Sequence, residues 1–443
     1  MKKPIFILVF ILSLSTLTIK AQWNFVGPAG ISEGWSLYNK IDIDAASGFP
    51  VVVYNDNNKA VCLKYNGVTW ENVGESTFQN FSVGDIIDFK IDKKNNYILL
   101  FHNYLNFKSS CIRFDGNIWQ YVGSEYISEK FSAHQTLGID TSGIVYFVME
   151  HDIHQIFKEN GYTWQNISSE GLGAGGLAFP NLRFDNDNIP ILAYTGPYFF
   201  ANCSKFVENK WIPVGNTNIS ASNTIAENTN LHITQDNDYY IVFRDAYVRC
   251  FKWNKTSNIW ELVGKAGSEL EKLGIAEDLV SDSESNIYLV ASYYGTDKAQ
   301  VQCYSFNGEN WSQLGGTAIS ESEAGYLELA FSEKKQKLYC SYNDFRTSKA
   351  TVKEYNLTTG INTEYQNSSL KIYPNPSTGN FFVEIPGEKF SVEIYNINGA
   401  QICSYRNNYN KAEIKESFLR KGIYLVKIVT QNNYIRYKKL III

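Results

Sequence analysis

The sequence predicts an all-β chain: a seven-bladed β-propeller followed by a small immunoglobulin-like antiparallel β-sandwich. Three observations predict it. Tryptophan returns at a nearly constant interval, strand-forming residues alternate with short polar turns, and the pattern changes abruptly near residue 370. Aromatics make up 15% of the 443 residues, and aromatic and β-branched side chains suit a pleated, half-buried surface.

The repeat is marked by Trp23, Trp70, Trp119, Trp164, Trp211, Trp260 and Trp311, spaced 47, 49, 45, 47, 49 and 51 residues apart. Each opens a similar pentapeptide: WNFVG, WENVG, WQYVG, WQNIS, WIPVG, WELVG, WSQLG. Only Trp35 and Trp253 fall outside the series. After each pentapeptide comes an apolar strand that usually ends in Asp (KIDID, DFKID, LGID, LRFD), then a polar turn. A strongly apolar strand follows (FPVVVYND, NYILLFHN, GIVYFVME), and a third strand runs into the turn before the next tryptophan.

Each unit is therefore four short strands. One such sheet is too small to stand alone, whereas seven packed around an axis bury their faces on one another, and the interval fits propeller blades. A sandwich array would need about 100 residues per domain. The tryptophans read as packing anchors. The pentapeptide at Trp23 has no strands before it and the seventh unit has none after it, so residues 22–27 are expected to complete the last blade, removing two open edges.

The seven cysteines follow the repeat. Cys62, Cys111, Cys203 and Cys303 each lie eight residues before a repeat tryptophan, Cys250 lies ten before, and Ile156 takes the place in the third unit. Equivalent positions on neighbouring sheets stand about 10 Å apart, beyond the ~7 Å reach of a disulfide. Small buried hydrophobes are the expected role. Cys340 and Cys403 have no evident partner.

Residues 1–21 read as a signal peptide: Lys2 and Lys3, an apolar stretch over residues 4–18, and Ala21 before Gln22. No later apolar run is long enough to span a bilayer. The last 74 residues hold eleven Lys and Arg against five Glu, while the chain as a whole is −5; the body before them is acidic, which argues against nucleic acid as a partner.

The expected division is a propeller over 22–362, a polar linker over 363–369 and a separate domain over 370–443. That domain contains YPNPSTGNF, VEIYNINGAQI, LRKGIYLVKI and a terminal KKLIII, in that order. It resembles the type A C-terminal sorting domain of the type IX secretion system, with Tyr373, Pro374, Asn375, Pro376, Gly379, Gly399, Gly422 and Lys439 matching the motif. The resemblance implies passage through the periplasm, transport across an outer membrane by the type IX machinery, removal of the tail in the usual case, and attachment or release at the surface. It implies nothing about the cargo's activity. The repeat also resembles kelch-type and galactose-oxidase-like propellers, which bears on fold alone.

No catalytic or metal-binding motif stands out, and no cofactor is implied. His151 and His154 form the only histidine cluster, and strand positions i and i+3 point to opposite faces. No HExxH, paired Cys-x-x-Cys or G-x-S-x-G is present. Asp185-Asn186-Asp187-Asn188 and Asp236-Asn237-Asp238 lack the rest of a calcium loop and sit in phase with hairpin turns. Asn66-Gly67 and Asn307-Gly308 resemble sialidase Asp-boxes but lack the residue between Asp and Gly, and Arg113, Arg183, Arg244, Arg249 and Arg346 do not recur in phase. Tyr293-Tyr294, Tyr198-Phe199-Phe200 and Tyr239-Tyr240 are candidates for stacking on sugars. The expected role is a non-catalytic binding or adhesion propeller for a glycan or protein ligand. A polysaccharide-active enzyme would need a convergent charged set in the funnel that breaks the repeat symmetry, and a structural surface protein would need neither.

Overall fold

The computed structural model describes residues 22–357 and 371–443, apart from residues 58, 75–77, 128–130, 132–133, 150–154, 168–171, 173–177, 221–224, 295–298, 317, 397–399, 417 and 431–434. Gly399 and the pair His151 and His154 lie outside the described residues. The chain divides into two compact units, residues 1–357 and 358–443.

The first unit is a seven-bladed propeller of four-stranded antiparallel sheets, each a simple meander. The innermost strands of blades one to seven are Ser36–Ile43, Val83–Ile91, Gln135–Ile139, Ala178–Phe184, Glu227–Ile233, Ile275–Ser281 and Ala324–Ser332. The second strands are the apolar runs of the sequence, and Pro50–Asp56 and Tyr97–Asn103 are buried along their whole length. A strand covered on both faces reads as a continuous hydrophobic run. In the seventh blade the strand Asn24–Phe25 pairs with Lys349–Asn356, so the two ends of the ring share one sheet.

The pentapeptide has a physical logic. The indole N–H groups of Trp70, Trp119, Trp260 and Trp311 donate to the carbonyls of Val26, Val73, Val214 and Val263, at 2.7–3.0 Å. Each acceptor is the fourth residue of the preceding blade's pentapeptide. The glycine that follows lies against the same indole: a Cβ on Gly215, whose φ is +74°, would stand 2.7 Å from Trp260. The fifth residue of the pentapeptide therefore packs on the next blade's indole, at Gly215 through a contact and a backbone conformation that favour glycine.

The cysteines at the repeated position are buried free thiols, as are Cys340 and, less deeply, Cys403. Burial pushes the Cys403 thiol up to about 11.

In the second unit, five strands make one sheet. The strand Asn380–Asn396 pairs over its first part with Lys371–Tyr373 and over its last part with Gly422–Thr430, while Gln401–Lys415 follows its other edge. This long bent sheet encloses a core that includes Phe381, Val392, Ile414, Val426 and Leu440.

Candidate functional site

The inner strands enclose a channel of about 770 Å³. An innermost strand is a sheet edge, so its outward N–H groups lack sheet partners. Side chains from the neighbouring blade supply them. Asp42 Oδ2 accepts from Ile91 N at 2.7 Å, Asp88 Oδ2 from Leu137 N at 3.0 Å, Thr136 Oγ1 from Leu182 N at 3.3 Å, Asp278 Oδ2 from Leu329 N at 2.9 Å and Glu328 Oε2 from Ile41 N at 2.9 Å. Asn230 Nδ2 donates to Asp278 Oδ1 at 3.2 Å. These bonds cross six of the seven blade junctions.

Lys40 donates to Glu328 Oε1 at 2.7 Å, and Lys90 to Asp88 Oδ1 at 3.1 Å. Burial works against the Lys40 ammonium, but Glu328, Asp88 and Asp278 outweigh it and raise its pKa. Burial raises Asp42 and Asp278, against the backbone N–H groups they hold. Burial likewise holds His232 down to about 3, so it is the neutral partner of Ser281 Oγ at 2.8 Å. The funnel does gather charged side chains that break the symmetry of the repeat. Their hydrogen bonds join blades, and a carboxylate holding a backbone N–H in a buried site is a poor proton shuttle.

One end of the propeller differs from the other. The 1–2 connections are tight turns. In the blades ending in Asp92, Asp140, Asp185 and Asp282, Oδ1 accepts two N–H groups from the following turn. The stretch Asp185–Asn188 is such a hairpin turn. At the other end, here the upper face, the 2–3 and 4–1 connections meet: Asn57 N donates to Trp35 O, Tyr104 N to Ser82 O, Ala226 N to Phe199 O and Phe345 N to Glu323 O. Eight exposed aromatics lie in these connections: Trp35, Tyr104, Phe107, Phe131, Tyr198, Phe199, Tyr247 and Phe345. The turns of the lower face carry Tyr162 alone among the described residues.

Where the upper face meets the channel, inner-strand pairing shifts register in six of the seven blades, all but the third. Tyr38, Phe179, Asn228 and Tyr326 take φ of +56°, +48°, +51° and +54° there. Non-glycine residues enter that region at a cost, and such strain gathers at functional sites. The Tyr38 and Tyr326 rings lie 5.3 Å apart, with Glu277 on the Tyr326 side and Asp85 beside Tyr38. Burial, then the Asp85 carboxylate to which its hydroxyl donates, push the Tyr38 phenol up to about 12. Burial pushes Glu277 up to about 7, although Leu327 N donates to its Oε2 at 2.9 Å.

Of the stacking candidates, Tyr198 and Phe199 stand on the upper face. Tyr239 and Tyr240 are buried, with Tyr239 Oη donating to Asp185 at 2.7 Å, which withdraws them from ligand contact. Tyr293 packs against a core cluster. The repeat tryptophans sit between blades as described above, with Trp23, Trp119, Trp211, Trp260 and Trp311 buried. The channel mouth was missed in the sequence because its residues come one from each blade. A signal existed: a polar residue occupies the same place, four before the strand-ending Asp, Thr or Ser, in every unit, as Lys40, Asp88, Thr136, Asn181, Asn230, Asp278 and Glu328.

In the second unit two of the sorting-motif residues, Asn375 and Gly422, meet the last strand. Asn375 Nδ2 donates to Lys439 O at 2.7 Å and Asn375 Oδ1 accepts from Ile441 N at 2.9 Å. Ser377 N donates to Ile441 O at 2.8 Å, and Gly422 pairs with Ile442. Gly379 N donates to Ser377 Oγ, and the Tyr373 hydroxyl to Glu384. Pro374 and Pro376 flank Asn375 in the loop between the first two strands.

Residues 371–443 match the secretion system C-terminal sorting domain. The chain is thus type IX cargo, exported to the cell surface or the medium, and among the described residues no helix is long and apolar enough to cross a membrane. No curated protein matches the sequence. Among solved structures, the extracellular domain of a hybrid two-component system from B. thetaiotaomicron is similar at TM-score 0.51 and 12% identity, over 96% of this chain and 60% of that one. The chain thus spans about three fifths of that protein's length. YCF48 from Cyanidioschyzon merolae is similar at TM-score 0.50 and 13% identity, over 76% of this chain and 99% of the other. An ulvan lyase solved with a bound saccharide is similar at TM-score 0.50 and 12% identity, over 74% and 95%. At such identities the likeness is one of fold.

Proposed function

We propose that the propeller is a non-catalytic glycan-binding module that the sorting domain delivers to the cell surface or the medium. The observation that carries this reading is the one-sided distribution of exposed aromatics, eight on the upper face against one in the lower turns, on the same face at which Tyr38, Phe179 and Tyr326 line the polar channel. Aromatic faces with a few fixed polar groups are the usual makings of a small-ligand site, and their flat apolar surfaces match the C–H faces of sugar rings. The funnel carboxylates argue against the enzyme reading, because they hold neighbouring blades together.

The test is a glycan and polysaccharide binding panel on the purified protein, with product formation followed on the same ligands. Saturable binding without product is expected, weakened at least tenfold by Tyr326→Ala. Turnover of a bound polysaccharide would replace this reading with an enzyme, and absence of binding across the panel would leave a protein ligand or a structural role.

A further inference from the structure

We propose that Arg183, inside the channel, receives a single carboxylate carried by the ligand, so that the propeller prefers saccharides ending in a uronate to their uncharged counterparts. The inference rests on the glycan-binding reading and adds to it the charge of the sugar.

Arg183 is the starting point because its charge is unclaimed. The propeller holds five arginines. Arg113 pairs with Glu159 at 2.7 Å, Arg244 with Glu227 at 3.0 Å, Arg249 with Asp245 at 3.4 Å and Arg346 with Glu321 at 3.2 Å. The fifth, Arg183, lines the channel and has no carboxylate within ion-pair distance among the described residues. Its Nη1 donates to Leu182 O at 3.1 Å. Its Nε and Nη2 have no hydrogen-bond partner among the described residues and, unlike Arg113 Nε, are not sealed from solvent. A guanidinium carries five N–H donors in a planar fork that matches the two oxygens of one carboxylate. A half-buried cation without a counter-charge lowers stability, and a ligand that supplies the counter-charge removes that cost.

The surroundings leave the fork open. At the equivalent place in blades three, six and seven stand Gly138, Val280 and Ala330, whose side chains accept no hydrogen bond. His232, in the next blade, is neutral and bonded to Ser281 Oγ at 2.8 Å. Asp42 holds the equivalent place in blade one, but Ile43 N donates to its Oδ1 and Ile91 N to its Oδ2, each at 2.7 Å. Asp278, one ring nearer the mouth, is likewise held by Leu279 N at 2.8 Å and Leu329 N at 2.9 Å. The channel lysines already face Glu328 and Asp88. An anion entering the channel therefore finds an unpaired cation at Arg183. The whole chain carries −5, so its overall field attracts no anion, and a preference for one must come from such a local cation. The mouth limits how much charge can follow. Asp85 stands there beside Tyr38, and Glu277 lines the same opening; like charges repel. Phe179, at the mouth, and Arg183 are four residues apart on one inner strand, at most about 13 Å. A ligand that touches both is elongated, with its acid leading and its uncharged part against the rings. A run of acids would put a second carboxylate beside Asp85 and Glu277.

The experiment titrates the full chain with disaccharides ending in glucuronate or galacturonate, each beside its methyl ester, and with trigalacturonate. The ester keeps the sugar and removes the charge. At least one acid is expected to bind tenfold or more tightly than its ester, and trigalacturonate no better than that acid. Arg183→Gln is expected to bring the acid down to the level of the ester. Arg183→Lys, charged but without the fork, is expected to keep part of the difference. A merely structural arginine would lower acid and ester together and leave their ratio intact. Esters that bind as well as both acids, tightest binding of trigalacturonate, or an Arg183→Gln protein that keeps the full preference overturns the inference and leaves the glycan reading standing. The same holds if none of these probes binds while an uncharged glycan of the wider panel does. If nothing binds to a chain with a normal melting transition, the inference and the glycan reading fall together.

Discussion

The two faces of the propeller are built from the same repeat, yet only one stays regular. On the lower face, Asp92, Asp140, Asp185 and Asp282 fold the same turn in their blades, and the polar ring beneath the mouth ties blade to blade. On the upper face, the connections differ in length and carry the exposed aromatics, while the left-handed residue of the inner strand recurs at Tyr38, Phe179, Asn228 and Tyr326. Regularity goes with closure of the ring, because every junction must meet the same geometric demand. Divergence goes with recognition, because a ligand sits off the symmetry axis and meets each blade differently.

That comparison can be broken at either end. The largest stability effect is expected from Gly215→Ala, which forces a Cβ to within 2.7 Å of Trp260 at a φ of +74°; the loss should be about 3 kcal/mol by denaturant titration. Asp88→Ala should cost about 2 kcal/mol, because it leaves Leu137 N and Lys90 without their partner. If either variant impairs binding without lowering stability, the division between a structural ring and a recognition face fails.

Glu277 sharpens the comparison through pH. Its folded value of about 7 lies above its ordinary value, so between about pH 4.5 and 7 the folded state binds more protons than the unfolded one. Stability contributed by the protonated carboxyl is present below that window and is lost as pH rises through it, by up to about 3 kcal/mol. Glu277→Gln should flatten this part of the Tm–pH curve, and an unchanged curve would mean that Glu277 is solvated like a surface carboxylate. The smallest stability effects are expected on the upper face. Tyr198→Ser and Phe345→Ser should each shift stability by less than about 0.5 kcal/mol while weakening glycan binding, whereas Tyr162→Ser on the lower face should change neither. A binding loss at Tyr162 equal to that at Tyr198 would remove the asymmetry on which the functional reading rests.

Blade number and strand order were legible in the sequence because they depend on local periodicity. The tryptophan interval, the apolar second strands and the in-phase cysteines each report burial of one residue against its own sheet or the next. The sorting domain was legible for a different reason: short motifs stand in a fixed order from YPNPSTGNF to KKLIII, and Asn375 in the first clamps the last strand 64 positions later. Asp185 and its neighbours were readable as a turn because an Asx turn is made within five residues.

The channel mouth was not legible. Tyr38, Asp85, Glu277 and Tyr326 come from four blades, and although the pentapeptide at Trp23 foretold a closed ring, no pattern in the chain states which side chains that closure brings together. Tyr239 and Tyr240 resemble Tyr198 and Phe199 in composition, yet one pair is buried and the other exposed. The sequence alone settled which residues repeat, since a repeat is carried by neighbours along the chain. Only the tertiary structure decided which of the exceptions meet, since closing the ring puts residues some 290 positions apart within hydrogen-bonding distance, as Lys40 and Glu328 are.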